Sequence, residues 1–213
     1  MNDNSPPATD TRPPPDDTAG QLIAAGRTLF AERGYDGTSV RALTTLAGAN
    51  LGAVTYHFGS KEGLYHEVLR RAVAPLQARV EAALARKGGS VERLTGVVEA
   101  YFEHFSRHPE LPRLLVQEVA AGRVPPPPVT GVMKAITARV ADVVREGQAH
   151  GEVRAAHPLL MVLSLISQPI YLVLMQRPLR EVLGMDLEDD RTRSLMMDHL
   201  LAFARAGIQE EDR

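Results

Sequence analysis

Apolar residues recur along this chain at three- and four-residue spacing, and each stretch in turn reads as helix, so the expected fold class is all-α. From Thr18 to Arg33, the residues Leu22, Ala25, Gly26, Leu29 and Phe30 share one face, and Gly34 is placed to stop that helix. Val40, Leu43, Leu46 and Ala47 mark a short second helix, capped by Thr38 or Ser39 and ended by Gly48. Asn50 is the expected N-cap of a third, with Ala49, Val54 and Phe58 inward. Ser60 caps a longer helix reaching about Ala85, apolar at Leu64, Val68, Val73, Leu76, Val80 and Leu84. Pro75 lies inside it and is expected to bend or split it, either as a transmission point or as a tolerated kink.

Further along, Lys87-Gly88-Gly89 breaks the chain and Ser90 opens a helix to Arg107, ended by His108-Pro109. A helix from about Leu111 to Ala121 follows. Gly122 to Pro128, with consecutive prolines from Pro125, reads as an extended loop, either lid or rigid spacer. Val129 to His150 reads as helix with Val132, Met133, Ile136, Val140, Val143 and Val144 inward. Residues 155–176 contain no Lys, Arg, Asp or Glu. Such length permits a membrane span, but Ser164, Ser167, Gln168 and Pro169 oppose one, and a helix apolar on all sides is otherwise a buried one, able to face a ligand cavity on one side and a second subunit on the other. A last helix is expected from about Glu188 to Ala206. Four segments result: a proline- and aspartate-rich disordered arm (1–17), a helix-turn-helix head (18–64), a helical body (65–207) and an acidic tail (208–213).

Two short helices joined at a glycine, followed by a third, form a helix-turn-helix, which presents its second helix to the major groove of DNA. The residues expected to meet phosphates or base edges are Ser39, Arg41, Asn50, Leu51, Gly52, Thr55, Tyr56, His57 and Lys61. Gly52 leaves no side chain where a backbone must come close. The head from about Ala19 to Val73 resembles the TetR/AcrR-type bacterial transcriptional regulators. The likeness rests on Phe30, Gly34, Tyr35, Thr38, Ser39, Val40, Ala47, Gly48, Gly52, Tyr56-His57-Phe58, Ser60-Lys61-Glu62 and Leu64. The resemblance implies a DNA-binding head and a ligand-binding, dimerising C-terminal helical domain. It also implies phosphate contacts from Tyr56 and His57; a neutral, buried His57 is the alternative. Leu51 departs from the polar residue common there in the family: it touches a thymine methyl, or packs on helix 1, or is merely exposed. Arg41 points at a phosphate or into solvent. Lys61 sits at a helix N-terminus, which already favours an anion, so a phosphate contact is expected.

Charge changes this picture little. The 213 residues carry net charge −2, and only residues 18–75 are net positive, with six basic against four acidic residues. The motif therefore argues for DNA more strongly than the charge does. Arg12 in the arm has four acids around it, which oppose a groove contact. No cysteine is present, which excludes disulfides, thiol nucleophiles and cysteine metal sites and suits a reducing cytoplasm. No basic-then-apolar leader begins the chain, so a cytoplasmic location is expected.

In the body, polar groups sit among apolar helices, as small-molecule sites require. The expected effector-lining residues are Tyr101, Phe105, Gln117, Glu118, Met133, Met161, Gln168 and Tyr171; the alternative for each is ordinary core or interface packing. A pocket-facing Glu118 would favour a cationic or hydrogen-bond-donating effector. His104 and His108 stand four apart with Glu118 beyond them, a spacing that suits a metal or a hydrolase dyad, yet no third ligand, nucleophile elbow or phosphate-binding loop completes either. No metal, cofactor or enzymatic activity is expected. The function expected is a homodimeric repressor, paired through about residues 157–176 and 188–206 and released from a palindromic operator by a small-molecule effector. A same-fold regulator governed by a protein partner, and an enzyme or carrier that kept a DNA-like head, are the alternatives.

Overall fold

The computed structural model describes residues 15–209, with side chains from Thr18 onward. Most of the arm and the last four residues of the tail lie outside them. Ten α-helices make up the described fold: α1 (Pro15–Arg33), α2 (Val40–Leu46), α3 (Ala53–Phe58), α4 (Lys61–Leu84), α5 (Ser90–Arg107), α6 (Glu110–Ala120), α7 (Pro127–Ala149), α8 (Pro158–Leu174), α9 (Gln176–Leu183) and α10 (Asp190–Ile208). The chain divides into two compact units after Tyr65, within the first turns of α4.

In the first unit Leu22, Phe30, Leu43, Val54 and Leu64 are fully buried and form a common core for the short helices. Phe30, Tyr35 and Tyr65 cluster beside it, with ring centroids 4.8 to 6.1 Å apart. Helix α1 starts three residues earlier than expected, at Pro15, and stops at Gly34 in a left-handed conformation (φ 71°). Leu46 is not inward as expected: it is 54 % exposed, and Thr44 takes the buried place, its hydroxyl donating to the Val40 and Arg41 carbonyls.

In the second unit α5 is the central helix and packs against α6, α7, α8 and α10. Its apolar residues face all of them, and Phe102, Leu94 and Val97 are fully buried. Helix α4 runs unbroken through Pro75 and is tied to α5 by Arg79–Glu103 (3.3 Å), with Arg86, just beyond its end, paired to Glu99 (2.7 Å). His104 adds a bond from its Nε2 to the Ala72 carbonyl at 3.0 Å.

Several expectations need correction here. The apolar 155–176 stretch is buried on one side only in the single chain, with Leu160, Leu163 and Tyr171 of α8 exposed, and the most buried helix is α5, whose Glu92 and Arg107 alone are exposed. An unexpected helix, α9, follows α8 at a bend of 58°. No single helix among the described residues is long and apolar enough to cross a membrane; α8 and α9 reach that length only as this bent pair. Pro127 and Pro128 do not belong to an extended loop but open α7, where a proline's missing N–H costs nothing. The tail begins later than residue 208, because Ile208 is buried, its carbonyl accepts from Arg154 N at 2.9 Å, and Gln209 pairs with Val153.

Two glycines of α7 should respond oppositely to alanine. A Cβ at Gly147 would lie 2.5 Å from Val153 Cγ2 and 2.7 Å from Ser90 Cβ, whereas one at Gly131 meets nothing within 4 Å. Gly147→Ala is expected to lose about 1–3 kcal/mol through overpacking, and Gly131→Ala to gain about 0.5–1 kcal/mol from helix propensity. Urea denaturation of the two variants beside the parent checks both signs.

Candidate nucleic-acid interface

The reading element is built from local signals. Ser39 adopts an extended conformation and its Oγ accepts the Ala42 N–H at 3.1 Å, which starts α2. The end of α2 closes in a Schellman arrangement: Ala49 N donates to Thr44 O (2.8 Å), Gly48 N to Thr45 O (3.2 Å), and Gly48 takes φ 63°. Ala53 and Val54 then anchor α3 in the core. Gly59 (φ 75°) ends it, and Ser60 Oγ accepts the Gly63 N–H at 3.0 Å to begin α4.

Anchoring Ala53 and Val54 turns the rest of this element outward. Tyr56 is 85 % exposed and Leu51 63 % exposed, and Asn50, Gly52 and Thr55 are exposed with them. His57 is half-buried, its ring edge-on to Tyr56 at 4.8 Å. Ser39 and Arg41 are exposed at the start of α2. Leu51 therefore does not pack on α1. Asn50 is not the N-cap expected: α3 begins at Ala53, with Gly52 in the cap position, and only the Asn50 backbone carbonyl takes part, accepting from Ala53 N at 3.1 Å. A Cβ at Gly52 would meet only Asn50 Oδ1, at an ordinary 3.5 Å, and its φ of −75° suits any residue. Nothing among the described residues requires glycine there. Lys61 is turned inward: Nζ donates to Tyr35 O (2.9 Å) and Thr38 O (3.0 Å) and lies 4.1 Å from the centre of the Tyr35 ring.

In the body, a cleft of about 400 Å³ opens between α5, α8 and α10; Met161, Leu165, Gln168 and Ile208 line it together with Arg154 and His157. A neighbouring groove holds Gln168, Tyr171, His199 and Phe203.

Two family descriptions match this chain. Residues 22–68 match "Bacterial regulatory proteins, tetR family", and residues 91–203 match "Tetracyclin repressor-like, C-terminal domain". The chain belongs to the TetR family of bacterial transcriptional regulators. It is 32 % identical over 133 residues (62 % of this chain, 59 % of the relative) to the HTH-type transcriptional activator FasR of Mycolicibacterium smegmatis. It is 36 % identical over 96 residues (45 % of this chain, 47 % of the relative) to the HTH-type transcriptional repressor KstR2 of the same organism. The chain thus spans about half the length of the curated relatives it matches. Among solved structures, the ketosteroid transcriptional regulator KstR2 of Mycobacterium tuberculosis superposes with a TM-score of 0.71 at 26 % identity, covering 91 % of this chain and 95 % of that one. PfmR of Thermus thermophilus superposes with a TM-score of 0.68 at 22 % identity, covering 90 % and 99 %.

In this TetR-family chain the eight expected effector-lining residues do not gather in one place. Met161 and Gln168 line the cleft and Tyr171 the groove beside it. Tyr101 and Phe105 are packed edge-to-face at 5.5 Å in the core, where burial pushes the Tyr101 phenol up to about 12. Glu118 is buried but held by Arg123 through two hydrogen bonds of 2.8 and 3.2 Å, so its charge is already matched and the argument for a cationic effector lapses. Gln117 is half-buried on the same helix. Met133 is not inward; it sits on an outer groove between α7 and α8. Sequence reasoning missed Arg154 and His157, which lie in a connecting segment where no helical periodicity marks a face. Arg154 Nε is fixed by the Gly207 carbonyl at 2.5 Å.

The His104 and His108 rings lie 4.9 Å apart, each with its own partner. His104 faces the Ala72 carbonyl, His108 lies 3.5 Å from Glu110, and no three His, Cys, Asp or Glu side chains converge among the described residues. Burial, and then the neighbouring His108, lower the His104 imidazole to about 4. The unfolded chain protonates the same ring near 6.5, so its contribution to stability is complete above about pH 6.5 and is lost as the pH falls towards 4. His104→Gln keeps a donor for Ala72 and removes the titration. Thermal melts are expected to show the variant losing less stability than the parent between pH 7 and 5, by on the order of 2 kcal/mol.

Proposed function

We propose that this regulator is a homodimeric repressor whose α3 helices enter successive major grooves of a palindromic operator, and that a small-molecule effector held in the body releases it. The observation that carries the reading is the outward face of Leu51, Gly52, Thr55 and Tyr56, open to solvent on a helix anchored from behind by Ala53 and Val54. A tyrosine 85 % exposed gains nothing for the fold by being there. Ser39, Arg41, Asn50, Tyr56 and His57 supply phosphate contacts, and Leu51 and Thr55 meet base edges. Gly52 admits the DNA backbone, which is why a position the chain leaves free is glycine.

Dimerisation follows from the face shared by α8 and α10. Leu160, Leu163 and Tyr171 on α8 and Leu195 and Phe203 on α10 are all exposed, an apolar surface that a second copy would cover. The cleft beside Met161, Gln168 and Arg154 is the effector site, and its binding shifts the protein to a state with the wrong head separation. Its lining suits a largely apolar molecule with a polar end. Likeness to both a named activator and a named repressor leaves the sign of regulation to the transcription assay. The protein works in the cytoplasm, where its operator is.

Mobility-shift assays with duplex from upstream of the protein's own coding sequence test this reading. Gly52→Ala is expected to keep or slightly raise the melting temperature while weakening the shift at least about tenfold, because the added methyl meets only the DNA. Leu51→Ala should weaken operator binding by about tenfold and leave binding to random duplex unchanged, the mark of a base contact. Failure of the parent protein to shift any duplex, or Gly52→Ala binding as well as the parent, sinks the reading. Transcription from that duplex rising on deletion of the protein supports repression; a fall assigns activation instead.

A further inference from the structure

Lys61 is the side chain that departs most from the part its position suggests. A phosphate-binding lysine at a helix N-terminus extends into solvent. Here the ammonium donates to two backbone carbonyls, Tyr35 O at 2.9 Å and Thr38 O at 3.0 Å, with the Tyr35 ring centred 4.1 Å away on another side. Two of its three donors are thereby used and its charge faces a π surface. The backbone it holds is the turn that leads into α2. Thr38 N donates to Tyr35 O at 3.3 Å, and the Thr38 hydroxyl lies 3.1 Å from Leu29 O and 2.8 Å from Gly34 O. Ser39, the cap of α2, is the next residue. The first turn of α4 has its own cap in Ser60, so it does not need the lysine for itself.

We propose that Lys61 is a positioning residue: it ties the first turn of α4 to the turn between α1 and α2, fixes where α2 begins and thereby aims α3, and makes no contact with the phosphate backbone. The proposal deepens the DNA-binding reading above and rests on it. Carrying Lys61 to a phosphate would break two charge-assisted hydrogen bonds and leave the Tyr35 and Thr38 carbonyls without this donor. The consequence is a division of labour in the head. Tyr56 and His57 supply hydrogen bonds to phosphate, Arg41 carries the salt-dependent part of binding, and Lys61 carries none of it.

The chain contains only three lysines, Lys61, Lys87 and Lys134, and the last two are exposed, so they serve as internal standards. Acetylation of the intact wild-type protein by a succinimidyl ester, followed by peptide mass spectrometry, is expected to modify Lys61 at least about tenfold more slowly than either standard, because its donors are engaged. Adding operator duplex should leave that ratio unchanged. Fast acetylation of Lys61 in the free protein, or its protection by duplex, overturns the proposal.

Variants supply the second arm. Lys61→Met is expected to weaken operator binding at least about tenfold at a temperature where circular dichroism shows the helices intact, with the slope of log affinity against log salt unchanged. Lys61→Arg should restore most of the affinity, since a guanidinium can serve the same carbonyls and ring. A slope reduced by about 1.8, two phosphate contacts per dimer at roughly 0.9 each, overturns the proposal. So does parental affinity in Lys61→Met. If that variant fails to fold, acetylation of the wild type still decides. If the wild type binds no duplex, the DNA-binding reading fails while the acetylation ratio in the free protein still reports whether the tie exists.

Discussion

A six-residue helix has no stability of its own, and α3 is six residues long. Its direction is therefore set by tertiary contacts alone. Ala53 and Val54 fasten it on one side, and glycines with positive φ at 48 and 59 free its two ends from the helices before and after. The outward residues are what remains once those anchors are placed. Every functional statement about the head depends on this constraint, because a base-reading helix must be aimed by groups that do not themselves touch DNA. The buried Thr38 hydroxyl and the inward Lys61 belong to that aiming apparatus.

The body follows a different logic. Helix α5 packs against α6, α7, α8 and α10, while α8 and α10 each keep an apolar face exposed in the single chain. A mostly buried central helix supplies stability, and the open apolar face is the surface proposed above for association. The cleft beside Met161 and Gln168 lies where these two meet, next to the surface assigned to the second copy. On the reading proposed above, a ligand there would act on the helices that pair the two copies, and so on the match to a two-groove operator.

Much of this was legible in the chain because the signals were local. Ser39, Gly48 and Ser60 mark helix ends by their caps, and Gly88-Gly89 and His108-Pro109 bound α5 at the residues expected. What was not legible depends on partners distant in sequence. Apolar content singled out residues 155–176 but not which of its faces packs inside the chain; that is decided by the neighbouring helices, among which α5 is the most buried. Helix α9 was hidden because Gln176-Arg177-Pro178 ends the apolar run without ending helical structure. Lys61 and Glu118 carried charges that the sequence left free to meet a ligand; Tyr35 and Thr38 take the first and Arg123 the second. A side chain's partner, more than its type, decides whether it is part of a site.

The most direct test places a photo-crosslinking benzoyl-phenylalanine at position 56 or at position 171 and irradiates the protein with its operator duplex. The expected result is DNA adducts from position 56 alone, at two places about one helical turn apart, and protein–protein adducts from position 171. Duplex that binds yet gives no adduct at position 56, or that reacts at position 171, would contradict the assignment of α3 as the reading helix.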